Sequence, residues 1–316
     1  MINVRKYTSG DIATWNKFVK SSKNGIFMFE RGYVEYHSDR FVDESLLFTD
    51  EERGGELVAV LPASRHDDVL RSHGGLTYGG FITDSSMKQH RMDECFVALR
   101  DYCGHNGISG VLYKCIPHIY HSMPAEEDRY SLWRNDAILV KREVSTTIDL
   151  ACPAKMPKGR KAQISRARRE GLVVSESTNF DAFVKLERRI LQERHNVEIV
   201  HTAEELKLLA MRFPEGIKLY TVERNGELLG ATVLFVYKNV VHTQYMANSD
   251  VGCEIGALDL LISELIKRYA AEKRYFDFGI STECGGKILN PGLIAHKEGF
   301  GGRTVVYDTY QLQFGL

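Results

Sequence analysis

Groups that could move a proton or hold an anion gather in the second half of this 316-residue chain. His242, Tyr245, Asp277 and Glu254 all fall in or beside apolar stretches. Asp277 stands out because it interrupts the run YFDFGI at residues 275–280, and a carboxylate inside a buried strand must be paired or hydrogen-bonded. Its partner is either structural or reactive; His242 and Tyr245 likewise read either as alternating core residues or as proton carriers. Gly252, Gly256 and Ala257 lead into an apolar helix, where free N–H groups and the helix dipole suit a phosphate. A plain tight turn explains the same glycines. Glu254, inside that loop, repels an anion and suits a proton acceptor.

Cations concentrate at Lys155, Lys158, Arg160, Lys161, Arg166, Arg168 and Arg169. On a helix over about 158–170, ended by Gly171, they surround most of the circumference and leave Ile164 and Ala167 as a thin apolar contact. Arg166 and Arg168 then read as phosphate contacts, or the helix is a solvated one. In the first half, residues 73–80 read HGGLTYGG. Glycine in a strand marks close approach of a ligand or a bend, so Tyr78 and Gly79 are candidate ligand contacts. Tyr120, His121 and Tyr130 lie in a segment dense in polar aromatics and charge, which hydrogen-bonds or stacks on a ligand, or is a solvated loop.

The rest of the chain must place these groups. Its length predicts two domains, 1–150 and 151–316, each able to bury a core. A formal net charge of −1 offers no overall field for DNA. Six scattered cysteines without a CxxC pair predict neither a disulfide framework nor a metal site. The charged N-terminal stretch and the lack of an apolar run of about 18 residues predict a cytoplasmic protein with no transmembrane segment.

The two halves repeat one order of elements. ESLLFTD, EERGGE and LVAVLPASR read as a hairpin, as do IKLYTVE, RNGE and LLGATVLFVY; Gly55-Glu56-Leu57 aligns with Gly226-Glu227-Leu228. A third strand follows, at 74–82 and 240–248, and then an amphipathic helix. In the second half Leu258, Leu261, Ile262, Leu265, Ile266 and Tyr269 mark that helix's apolar face. Apolar strands ISGVLYKCI and RYFDFGI, a loop, a short helix and long closing strands complete each half. The predicted fold class is α/β (α+β), each domain a mixed, mostly antiparallel sheet flanked by helices.

This order resembles the GNAT acyltransferase layout. The stretches GRKAQISRARREGL, ERNGELLGATVLFVY, GALDLLISELIKRYAAEKRYFDFG and LIAHKEGFGGR, with PHIYHSMPAEEDRYSLW in the first half, resemble the FemAB-like branch of that superfamily. The resemblance implies two tandem GNAT-like domains, with chemistry at a cleft between them or in the second. It implies an acyl-CoA or aminoacyl-tRNA donor and an amine acceptor. It places donor-polarising N–H groups at Tyr245 and at Met246, Ala247 and Asn248, where two strands splay in such folds. It makes Lys297 the leading catalytic candidate, with Phe300 and Arg303 beside it and Tyr78, Gly79, Tyr120, His121 and Tyr130 on the acceptor side. The sequence departs from the usual Q/R-x-x-G-x-G/A donor motif, since Cys253 stands where Gln or Arg is expected.

Three functions fit. The first is N-acyl transfer from acyl-CoA to a small-molecule amine, such as an amino sugar or peptide of a cell-envelope precursor. An aminoacyl-tRNA-dependent transferase of the peptidoglycan-bridge type ranks second, because no long helical hairpin is evident. A catalytically silent binding module is the third, supported by the missing donor motif.

Overall fold

The computed structural model describes residues 1–195 and 199–314. In chain order its main elements are β1 Ile2–Lys6, α1 Ile12–Ser21, β2 Leu46–Asp50, β3 Glu56–Leu61, β4 Ser64–His66, β5 Val69–Arg71, β6 Ile82–Thr83, α2 Gln89–His105, β7 Gly110–Lys114, α3 Glu127–Arg134 and β8 Ile138–Asp149. Then come α4 Lys158–Arg169, β9 Val173–Ser177, α5 Phe180–His195, α6 Ala203–Arg212, β10 Ile217–Arg224, β11 Glu227–Val236, β12 Val240–Asn248, α7 Asp250–Ile255, α8 Ala257–Tyr269, β13 Tyr275–Ile280, α9 Pro291–Glu298 and β14 Arg303–Gln313.

The chain divides into two compact units. One holds Met1–Glu143, Cys284–Lys287 and the chain from Val306 onward; the other holds Val144–Glu283 and Ile288–Val305. A single cut near residue 150 therefore does not describe the division, because the chain returns to the first unit at its end.

In the first unit β1, β2, β3 and β6 form one sheet, with β2 pairing both β1 and β3 antiparallel. Phe48, Phe81, Phe96 and Tyr113 are buried in its core beneath α2. Two expectations change here. Pro62 cannot donate to a ladder, so LVAVLPASR is not one strand: β3 stops at Leu61 and β4 begins a separate hairpin with β5. Residues 74–82 also fail to form a strand beyond Ile82 and Thr83. Lys114 pins that segment instead, its Nζ donating to the carbonyls of His73 and Leu76 at 3.1 and 2.6 Å.

The second unit is built on the order β9-β10-β11-β12-β13-β8, antiparallel throughout except between β12 and β13. Its β10–β11 hairpin turns on Asn225 and Gly226, both at positive φ (52° and 80°), which matches the twist of the flanking strands. Helix α8 lays Leu258, Leu261, Ile262 and Leu265 on one sheet face, against Val222, Leu234, Val241, Phe276 and Phe278. Each of the two phenylalanines, fully buried there, contributes roughly 1.5–3 kcal/mol. Helix α5 packs against β12.

One irregularity in β12 decides which side chains meet. Val233 pairs with Tyr245 but Leu234 with Thr243, so Gln244 is an extra residue, a β-bulge. In a regular strand Val241 and Met246, five residues apart, would face opposite ways. Both nevertheless pack against the α8 core, because the bulge flips the alternation. By the same slip His242 and Tyr245 share the other face.

Candidate active site

The centre of that face is a buried His–Asp pair. His242 and Asp277 are register partners where β12 and β13 lie parallel, and His242 Nδ1 donates to Asp277 Oδ2 at 2.6 Å. Asp277 has no exposed surface; its other carboxylate oxygen accepts from Ser145 Oγ at 2.7 Å and Thr147 Oγ1 at 2.5 Å, both on β8. Burial pushes the Asp277 carboxyl up, but the hydrogen bond and charge of His242, with the two hydroxyls, outweigh it and hold the group down at about 2. With Nδ1 turned to the carboxylate, Nε2 is the ring nitrogen on the other side of His242 and the one that can accept a proton in the Nδ1–H tautomer.

The strands part immediately beyond the pair. Parallel pairing covers Val240–His242 against Tyr275–Asp277, after which β12 keeps only β11 as a partner among the described residues. On β13, Phe278 and Gly279 stand opposite Thr146 alone, a second bulge that Gly279 enters at φ 71°. An added Cβ there would lie 3.1 Å from His242 Cε1. The parting strands leave half of the backbone groups of residues 243–248 directed away from β11.

Lys297, on α9, closes this arrangement from the side of β13. It is 2% exposed, and its Nζ donates to the carbonyls of Gly279 at 2.9 Å and Ile280 at 2.6 Å. Burial pulls its ammonium down to about 8, against the opposing charge of Asp277. The lysine thus anchors the bulged end of β13 through those two carbonyls. Phe300 is buried against the Phe278 ring, with Arg160 over its face at 4.6 Å, while Arg303 is exposed.

Tyr245 lies under α5: its ring is 5.9 Å from Phe183, and its hydroxyl bonds His201 Nδ1. Of the expected donor loop, residues 250–255 form the short helix α7. Gly252 N donates to Ser249 Oγ at 3.0 Å, and its missing Cβ would stand 2.3 Å from Asn248 Oδ1 and 2.4 Å from the Leu229 carbonyl. Gly252→Ala is therefore expected to cost about 1–3 kcal/mol in chemical denaturation, a cost that room beside the Leu229 backbone would remove.

Gly256, at φ 76°, ends α7 and starts α8 at Ala257. Asp259 in the first turn of α8 is ion-paired with Arg160, so the protein places its own carboxylate where a phosphate was expected. Glu254 is exposed on α7, Arg166 is exposed on α4, and Arg168 pairs with Glu264. Met246 packs toward α8, and Ala247 and Asn248 pair with Ala231 and Gly230.

In the first unit Tyr78 and Tyr120 are buried with ring centroids 4.6 Å apart, and Tyr120 shares a hydroxyl contact of 3.3 Å with Tyr307. Gly79 N donates to the Lys114 carbonyl, and His121 Nε2 meets the Ile116 carbonyl at 3.2 Å. Tyr130 instead stands half-exposed on α3 beside Trp133.

Residues 158–287 match the model of the acetyltransferase (GNAT) domain. No curated protein matches the chain. Among solved structures, FemX is similar over 99% of this chain and 97% of its own, at 11% identity and a TM-score of 0.69. L-PGS from Bacillus licheniformis is similar over 98% and 93%, at 13% identity and 0.60. A tandem GNAT protein from the clavulanic acid biosynthesis pathway is similar over 100% and 99%, at 13% identity and 0.55. Residues 158–287 thus carry a GNAT-type domain, and the fold of the chain is similar to that of tandem GNAT structures. The chain as a whole shares the fold of FemX and L-PGS.

Sequence reasoning weighed His242 without joining it to Asp277, and passed over Ser145, Thr147, His201 and Glu187. The last carried a signal: it is a glutamate on the apolar face of the helix over 180–194. No helix among the described residues is long and apolar enough to cross a membrane. Nor does any group of His, Cys, Asp or Glu among them suit a metal ion.

Proposed function

We propose that this chain transfers an acyl group from acyl-CoA to the amino group of a small acceptor, such as an amino sugar or peptide of a cell-envelope precursor. The observation that carries the reading is the parting of β12 and β13 directly beyond the His242–Asp277 pair. A thioester laid along that opening meets backbone groups of residues 245–248 suited to polarise its carbonyl. The amine nitrogen attacks the carbonyl carbon, its proton passes to His242 Nε2, and the thiolate leaves as the carbonyl re-forms. Asp277 acts through His242 and Lys297 through the carbonyls it holds; both are positioning residues. Tyr245 borders the acceptor side under α5, and Arg166 and Arg168 offer charge to the donor phosphates, since the start of α8 carries its own carboxylate.

Calorimetry with acetyl-CoA and with aminoacyl-tRNA tests the reading. Acetyl-CoA is expected to bind, and charge reversal at both Arg166 and Arg168 is expected to weaken it about tenfold and flatten its salt dependence. Salt-sensitive binding of tRNA alone would move the donor to aminoacyl-tRNA. Binding of neither would leave a silent module.

A further inference from the structure

We propose that Glu187 is the seat of the acceptor's reacting nitrogen, taken as an ammonium cation, so that acceptors for this chain are primary amines and not alcohols or amides. The inference deepens the acyl-transfer reading and rests on it. Helix α5 buries Phe180, Phe183, Val184, Leu186 and Glu187, and a residue one turn beyond Phe183 lies on the same side of the helix. Phe183 meets Tyr245, and α5 packs on β12, whose bulge turns His242 and Tyr245 to one face. Glu187 thus sits 7% exposed among apolar side chains on the helix that covers the His242 face.

No described residue gives Glu187 an ion pair or a hydrogen bond, and burial alone raises its carboxyl to about 7. The ionisable groups on the packed elements are His242 and Tyr245 on β12 and Glu204, Glu205, Lys207 and Arg212 on α6. Of these, Lys207 is held by Asp181 and Glu205 caps the start of α6. An unpaired buried carboxylate is costly, and it is relieved by a proton or by a cation brought from outside. An alkylammonium supplies both. One N–H bond breaks, its electron pair stays on nitrogen, and the proton goes to a Glu187 oxygen. The freed pair attacks the thioester carbonyl, the second proton goes to His242 Nε2, and the departing thiolate takes up one proton while the other returns to solvent. A hydroxyl acceptor brings no such charge.

The test is a carbon-13 NMR titration of the Glu187 side chain in the full chain, with n-butylamine and n-butanol as probes. Glu187 is expected to titrate near neutrality in the free protein and to shift to lower pH with n-butylammonium but not with n-butanol. Glu187→Gln is expected to weaken n-butylammonium binding by about tenfold or more, with acetyl-CoA affinity retained and Glu187→Asp intermediate. A Glu187 titration indifferent to the amine, or a Glu187→Gln variant that binds it as well as the parent, overturns the proposal. The titration uses the unaltered chain, so it decides even if a variant folds poorly. If the amine shifts Glu187 while acetyl-CoA does not bind, the amine seat stands and the donor reading falls.

Discussion

Asparagine in place of Asp277 is expected to lower turnover by about 10²- to 10⁴-fold, the scale of a lost general base. The expectation follows from proton placement. The Asp277 carboxylate accepts from His242 Nδ1, Ser145 Oγ and Thr147 Oγ1 together. An amide can still accept from the two hydroxyls, but its NH2 then points at His242 and makes Nδ1 an acceptor. That shifts the imidazole proton to Nε2, the nitrogen meant to take the proton of the attacking amine.

The same change is expected to cost about 1–3 kcal/mol of stability, because charge-assisted hydrogen bonds in a buried site become neutral ones. The pH dependence has a definite sign. Asp277 is held down at about 2, below the ordinary aspartate value of 3.8, so its stabilisation is present above the ordinary value. It is lost as pH falls from about 4 through 2, and the variant should lack that part of the acid limb. Steady-state rates, nitrogen-15 NMR of the His242 tautomer and acid unfolding check the three statements. Unchanged turnover with an unchanged tautomer would reduce the pair to a structural one.

Methionine in place of Lys297 is expected to lower turnover about 10- to 100-fold and stability by about 1–3 kcal/mol. Methionine keeps most of the apolar stem but leaves the Gly279 and Ile280 carbonyls without their donor. The bulged end of β13 then relaxes beside His242. Since the lysine is buried and its ammonium is pulled down to about 8 from 10.5, the unfolded chain binds more protons between those values. The parent should therefore gain stability as pH rises from 8 to 10.5, by about 3 kcal/mol at most. The methionine variant should lack that rise. Equal alkaline stability profiles for parent and variant would show that Lys297 is not buried as described, and an unaltered rate would remove it from the site.

Much of this molecule is legible in its residue order. The layout of the second unit follows from its hairpin, strand, helix and strand, and the α8 face follows from residues 258–269, because periodicity is a local property that burial simply reads. Asp277 also announced a partner, since a carboxylate in an apolar strand has no other stable state. The partner itself was open until register put His242 of β12 beside it and Ser145 and Thr147 of β8 on its other oxygen.

Only the folded chain decided the rest, and each case is one of non-local competition. A bulge at Gln244 turns His242 and Tyr245 to one face, against the alternation a strand sequence implies. Lys114 holds the His73 and Leu76 carbonyls in a loop where the repeat between the two halves predicts a strand. Arg160 reaches Asp259 from another helix and fills with protein charge the position that the Gly252–Ala257 stretch offered to phosphate. Sequence fixes which local shapes are affordable; which groups end up paired, and which carboxylate is left waiting for a cation, depends on neighbours that only tertiary packing supplies.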